Sequence, residues 1–265
     1  MIPEEVRKQA PGLLFEQVGA FFTNTGRGPG RCRVCTGPAT ETLCGPCVEQ
    51  RATYGDRLAD LVVPLAYTKG GMTPRHQSEH HMWQYKNLIQ PVAECLRDLK
   101  LMMLTATWLH GGCISRTVGW WEVVTFVPSA KRPGTTHPVV ELARQVAPFE
   151  LDATRVLLDL GPDFANESTR WPMPARFTVP PQFVDPIADR HVLVVDDTWV
   201  SGGKSQSAAL ALKAAGARAV TIICVARWLN WTYSDEHRRL ITSLTAPYDA
   251  RQCPVTGSTC PDPSG

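Results

Sequence analysis

Apolar residues fall along this chain in two kinds of run, and the change between them divides the sequence. Early runs have helical spacing. In residues 1–25, Val6, Leu13, Leu14, Phe15, Val18, Phe21 and Phe22 are apolar, which predicts a short helix-forming lead. The Pro11–Gly12 pair should interrupt it. Residues 61–67 (LVVPLAY) predict a strand. Residues 68–82 are polar, with Gly70–Gly71, Pro74 and three histidines, and predict a loop. Residues 88–106 spread Leu, Ile, Val and Met at helical spacing, with Pro91 suited to a first turn.

After a glycine-rich break, compact β-branched runs take over. Strands are predicted at Glu122–Val127, Arg155–Leu160, His191–Val195 and Val220–Ala226. Pro128–Gly134 reads as a loop and Val139–Val146 as a helix. Residues 161–187 hold six prolines and read as irregular, either a mobile element or an ordered surface loop. Gly202–Ala215 predicts a helix closed by Gly216. Strands alternating with helices imply parallel βαβ units in an open, mainly parallel doubly wound sheet. The organisation expected is a lead at 1–25, a cysteine module at 26–51, an α/β domain at 58–240 and an irregular tail at 241–265.

Composition changes little in this picture. Twenty-seven basic and 25 acidic residues leave a net charge of +2, so an anion site must be local. No apolar run reaches the roughly 18 residues a membrane helix needs. The start lacks a signal peptide's basic and apolar regions. A cytoplasmic protein with no membrane partner is expected, its cysteines reduced or metal-bound.

Two segments carry chemistry. In Val192–Ala217 a buried strand ends in Asp196 and Asp197, and a small-residue loop leads into a helix. Ligands of open α/β sheets sit at the carboxyl ends of strands. Ser201, Gly202 and Gly203 let backbone N–H groups converge at the positive end of the helix, an anion cradle. Ser205 adds a hydroxyl and Lys204 a charge. Two carboxylates would repel that anion, so they should grip a diol or a bound Mg²⁺. A ribose 5-phosphate offers both ends. The plainer alternative is an Asp pair that only caps a helix. A P-loop is a rival reading of Gly202–Ser205, but its first glycine would fall at Thr198, where the match fails. Trp199 could stack on a base or fill the loop's underside.

The second segment holds Cys32-x-x-Cys35 and Cys44-x-x-Cys47, two knuckles eight residues apart. They suit a tetrahedral Cys₄ site for structural Zn²⁺, which would supply much of the module's folding energy. A redox pair is the alternative. Arg27, Arg31 and Arg33 give the module a mildly positive face that could weakly touch nucleic acid, a solvated face being the plainer reading. His76, His80 and His81 include an i, i+4 pair that could bind metal if helical. Cys253 and Cys260 could add a second metal site or pair with each other, a flexible tail with free thiols being the plainer reading. Cys95, Cys113 and Cys224 read as buried packing residues.

VLVVDD with its Ser/Gly loop resembles the phosphoribosyl-pyrophosphate loop of type I phosphoribosyltransferases. VTFVPSAKR (Val124–Arg132) resembles their pyrophosphate loop. The resemblance implies that Asp196 and Asp197 hold the ribose hydroxyls and Ser201, Gly202, Gly203, Lys204 and Ser205 the 5′-phosphate. Ser129, Lys131 and Arg132 would meet the diphosphate, with Mg²⁺ accompanying the substrate. Val200 and Lys204 depart from the family pattern. A Cys knuckle ahead of such a domain, with Tyr85–Lys86 before a helix, is similar to the ComF/GntX-like group (competence protein F). That implies phosphoribosyl transfer to an acceptor or, alternatively, a non-catalytic accessory role in DNA uptake or processing, or a phosphoribosyl-ligand sensor. Gly134–Pro138 departs from that group's usual sequence.

Overall fold

The computed structural model describes residues 4–87, 89–129, 137–146, 154–165 and 170–260. Helix α1 (Glu4–Val18) and strand β1 (Thr23–Asn24) precede the cysteine segment, which ends in α2 (Gly45–Tyr54). Strand β2 (Leu61–Gly70), α3 (Gln77–Gln84) and the long α4 (Ala93–Val118) follow. Next come β3 (Val123–Phe126), α5 (Val139–Ala143), β4 (Thr154–Arg155), β5 (Asp159–Leu160), β6 (Phe177–Thr178) and α6 (Val184–Ile187). Strand β7 (His191–Trp199), α7 (Gly203–Ala214), β8 (Ala219–Asn230) and α8 (Asp235–Ser243) complete the order.

Six strands form one sheet in the order β1-β2-β8-β7-β3-β4. All its pairings are parallel except that of β1 with β2. The fold class expected from the sequence, an open and mainly parallel α/β sheet, is therefore observed. Side chains alternate across the pleat. Leu193, Val195, Val124, Phe126 and Ile223 share one face and pack against Leu14, Val18, Met102, Met103 and Leu142 of α1, α4 and α5. Val192, Val194, Val123, Val220 and Ile222 share the other and pack against Ala208, Ala209 and Leu212 of α7. Cys32, Cys35 and Cys47 join that second layer. Strands covered on both faces must be apolar at every position, which explains the unbroken run Val192–Val195.

Several expectations need correction. Helix α1 runs through Pro11, because Leu14 and Val18 are fully buried and tertiary burial outweighs one lost hydrogen bond. The supposed loop at 68–82 contains the end of β2 and most of α3, whose N-cap is His76, its side chain accepting from the Ser78 N–H. Helix α4 continues through Gly111–Gly112. Its buried positions, Cys95, Leu99, Met102, Ala106, His110 and Cys113, recur every three or four residues, and that stripe holds the helix across the glycines. Arg155–Leu160 is not one strand. Its ends belong to two different sheets. The region 241–265 begins within α8 and then packs: Tyr248, Ala250 and Cys253 are buried, and Asn24 exchanges two hydrogen bonds with the Asp249 backbone, of 2.7 and 2.8 Å. Among the described residues no helix is long and apolar enough to cross a membrane.

Candidate functional site

Strand β7 carries the acidic pair to its carboxyl end, and the pleat separates the two side chains. Asp196 continues the face of Val192 and Val194, toward α7. Its Oδ2 accepts the Ser205 hydroxyl at 2.5 Å and its Oδ1 accepts the Asp197 N–H at 2.8 Å. Asp197 faces the opposite layer. Its Oδ2 accepts from the Tyr85 hydroxyl and from the Lys86 ammonium at 2.8 Å. Burial and the neighbouring Asp197 carboxylate push the Asp196 carboxyl up to about 7. Burial acts the same way on Asp197, but Lys86, Tyr85 and the nearby His137 outweigh it and hold that carboxyl below its usual range.

The turn into α7 places the other expected residues. Gly202 sits at φ +80°, in left-handed backbone, directly over the Trp199 ring. Trp199 is 1% exposed and so fills the underside of the loop. The first helical bond runs from the Gln206 N–H to the Gly202 carbonyl. The N–H groups of Gly203, Lys204 and Ser205 precede it, the usual donors of a helix N-terminus. Ser201 donates its hydroxyl to the Arg170 carbonyl at 2.6 Å, and that carbonyl lies so close to Gly203 that a Cβ there would collide with it. Lys204 reaches the Phe164 ring, 5.6 Å from its centroid. Arg170–Arg176 thus lies against the loop. Arg176, 1% exposed, donates to the Trp171 carbonyl. Ser129 is half-buried, three residues past β3. Lys131 and Arg132 lie outside the described residues, as does Gly134–Thr136.

The position in the sheet matters. Strand β3 is flanked by β4 on one side and by β7 on the other, so the winding reverses between β3 and β7. A crevice at such a switch point is the usual ligand site of an open α/β sheet. Ser129 follows β3, Asp196 and Asp197 lie near the end of β7, and His137 is near enough to Asp197 to act on its carboxyl. On the other side of β7 lies a cleft of about 1200 Å³ lined by Asp197, Lys86, Trp83, Gln50, Cys44 and Arg227 among others.

Across that cleft stand the cysteines. The Sγ atoms of Cys32, Cys35, Cys44 and Cys47 all lie within 4.8 Å of one another, and Cys35 and Cys44 are 3.6 Å apart. A tetrahedron with Zn–S bonds of about 2.3 Å has edges of roughly 3.8 Å, so the four donors fit a Zn²⁺ ion. A tight turn holds the first knuckle, with Cys32 N–H to Gly37 carbonyl at 2.7 Å and Thr36 N–H to Cys32 carbonyl at 2.9 Å. The Tyr67 hydroxyl of β2 donates to the Thr36 carbonyl at 2.6 Å.

Arg227, from β8, joins the two regions. It is buried, and its guanidinium donates to the carbonyls of Cys35 (3.0 Å), Val200 (3.0 Å) and Trp199 (3.3 Å). Burial works against its charge, but the Cys35 and Cys44 sulfurs outweigh this and favour it. Gly37 has no side chain where the guanidinium passes, and a Cβ there would strike it. Gln50 of α2 adds a bond to the Ser201 carbonyl at 3.0 Å. Sequence reasoning missed Arg227 and Gln50, whose roles depend on contacts 192 and 151 residues away. It noticed Tyr85–Lys86 only as a point of resemblance and treated His137 only as a departure.

The three expected histidines do not converge. His76 caps α3. His81 is buried against Phe21 and Phe22, 3.5 Å from Asp98. His80 is exposed.

No family model matches the chain, and no curated protein matches it. Among solved structures it is similar to a phosphoribosyltransferase from Corynebacterium diphtheriae. The identity is 19%, the match covers 50% of this chain and 77% of that one, and the TM-score is 0.29. A likeness that loose carries no residue correspondence.

Proposed function

We propose that the protein binds phosphoribosyl pyrophosphate at the carboxyl ends of β3 and β7 and transfers its phosphoribosyl group to an acceptor. The observation that carries this reading is the Asp196–Asp197 pair beside the switch point, followed within a few residues by the left-handed turn at Gly202 and the N-terminus of a twelve-residue helix. A phosphate suits the N–H groups of Gly203–Ser205, with the Ser201 and Ser205 hydroxyls beside them. The Asp pair suits the ribose hydroxyls. Ser129, with Lys131 and Arg132 following it in sequence, suits the diphosphate. The bond from ribose C1 to diphosphate oxygen breaks with its electron pair on the diphosphate, and a lone pair of the acceptor forms the new bond at C1. A Mg²⁺ bound with the substrate would neutralise charge on the leaving diphosphate. The chain's own contribution is to orient the sugar and to hold both anionic ends in place. The Cys32, Cys35, Cys44 and Cys47 thiolates would hold a structural Zn²⁺ that keeps α2, and with it Gln50, against the loop.

One observation favours a second reading. Ser205, Lys86 and Arg170 already occupy Asp196, Asp197 and Ser201, so those three side chains are satisfied within the protein. That suits a ligand sensor or a ComF-like accessory protein that binds without turnover. Calorimetry with phosphoribosyl pyrophosphate and Mg²⁺ tests both. Binding that Asp196→Asn/Asp197→Asn abolishes supports the site, and diphosphate release with an acceptor then selects the enzyme. No binding by the folded, zinc-loaded protein would falsify the enzyme and the ligand sensor. Salt-sensitive binding of single-stranded DNA would then point to the accessory role.

A further inference from the structure

A second cluster of soft donors lies far from the acidic pair. His110 and Cys113 occupy one face of α4, one turn apart, and both are buried. Cys253 and Cys260 come from the segment after α8 and bracket a tight loop. In that loop the Cys253 N–H donates to the Ser258 carbonyl and the Gly257 N–H to the Cys253 carbonyl, each at 2.8 Å. Gly257 takes φ +80° and packs so closely on the Arg27 backbone that a Cβ would not fit. The loop therefore has a fixed shape, with Cys253 fully buried.

The donor atoms of His110, Cys253 and Cys260 all lie within 4.8 Å of one another. The histidine is oriented for coordination. Its Nε2 is 2.8 Å from the Ala250 carbonyl, which can only accept, so Nε2 carries the proton. Nδ1 is left with its lone pair, and it points at the Cys260 sulfur, 3.0 Å away. A ring N–H fixed on a backbone carbonyl while the other nitrogen faces thiols is the usual support of a metal-bound histidine. Cys113 stands one turn from His110 on the same face of α4, but its sulfur does not share that mutual distance.

We propose that His110, Cys253 and Cys260 form a second metal site that takes Zn²⁺ and pins the C-terminal segment to α4. Two thiolates and one imidazole select Zn²⁺ over harder cations. The site also accounts for a segment without helix or strand, residues 244–260, lying buried at Tyr248, Ala250 and Cys253. A zinc cross-link between segments 140 residues or more apart restrains the unfolded chain as well as filling the pocket. The competing arrangements are free thiols, with His110 accepting the Cys260 S–H, and a Cys253–Cys260 disulfide.

The test is a metal count on the full-length chain purified without added chelator, by plasma mass spectrometry. Two zinc equivalents per chain are expected, falling to one in Cys253→Ser/Cys260→Ser. Loading the wild-type protein with Co²⁺ guards against a misfolded variant. Full loading should take two equivalents, with thiolate charge-transfer intensity for six thiolates rather than four. A wild-type chain holding one metal that survives Cys253→Ser/Cys260→Ser overturns the proposal, as does a wild-type chain holding none. So does an intact mass short of two hydrogens and restored by reductant. One metal that is lost in Cys253→Ser/Cys260→Ser would sustain this site and instead refute zinc at Cys32–Cys47.

Discussion

Asp197 of the acidic pair and three of the four clustered cysteines line the same cleft, and the donors of the two groups are in opposite conditions. The four thiols converge on one another, a geometry that a cation completes. The two carboxylates diverge to opposite faces of β7, and each has already taken hydrogen bonds from the protein, Asp196 from Ser205 and Asp197 from Tyr85 and Lys86. Convergent donors call for an ion, whereas satisfied donors call for exchange. A ligand at the acidic pair must replace contacts that exist, so its affinity is a difference between two sets of bonds. Arg227 lets one region act on the other, because a single guanidinium serves the Cys35 carbonyl and the loop carbonyls of Trp199 and Val200.

The comparison breaks most severely if the cysteines are not a metal site. Removing zinc, or substituting Cys35→Ser, should cost several kcal/mol, by analogy with the ~10 kcal/mol or more of structural zinc. A thermal melt with and without a strong chelator measures it, and an unchanged melting temperature would refute a structural ion. Next comes Arg227→Met, which leaves buried carbonyls without a donor. A loss of about 3 kcal/mol is expected, read as a lower urea midpoint, together with weaker zinc retention. Stability lost without any change in zinc retention would mean that the two regions are not coupled through this residue.

A third effect concerns Asp196. Burial and Asp197 raise its carboxyl from 3.8 to about 7, so the fold prefers the neutral form. That contribution is full below the ordinary value and is lost as pH rises toward 7. Asp196→Asn should flatten the pH dependence of the urea midpoint across that window, by at least the roughly 1.4 kcal/mol that one unit of pKa is worth. Parallel profiles for the two proteins would show that the carboxyl is ionised throughout.

What the sequence made legible was whatever local pattern determines. The runs at His191–Val195 and Val220–Ala226 announce strands buried on both faces, and the spacing of Cys32, Cys35, Cys44 and Cys47 announces a joint site. Structure that depends on distant partners stayed hidden. Helix α1 survives Pro11 because α4 covers it, and α4 survives Gly111–Gly112 because its buried stripe continues. The Lys86–Asp197 pair joins residues 111 apart, a relation no window along the chain contains. His110 lies past the end of the predicted helix 88–106, and nothing in its neighbourhood along the chain points to Cys253 and Cys260.

Strand β8 is the last strand of the sheet to be synthesised, yet it lies in the middle, between β2 and β7. A nascent chain leaving the ribosome would hold β2 for some 150 residues without its parallel neighbour, since Leu61 pairs with Thr221. Nor could the cysteine module dock, because its anchor, Arg227, arrives on that same strand. Contacts of such long range close slowly, and an unclosed sheet exposes apolar edges meanwhile. Translation that stalls before Ala219 would release two half-sheets with nothing between them, a product suited to chaperones and proteases rather than to partial activity.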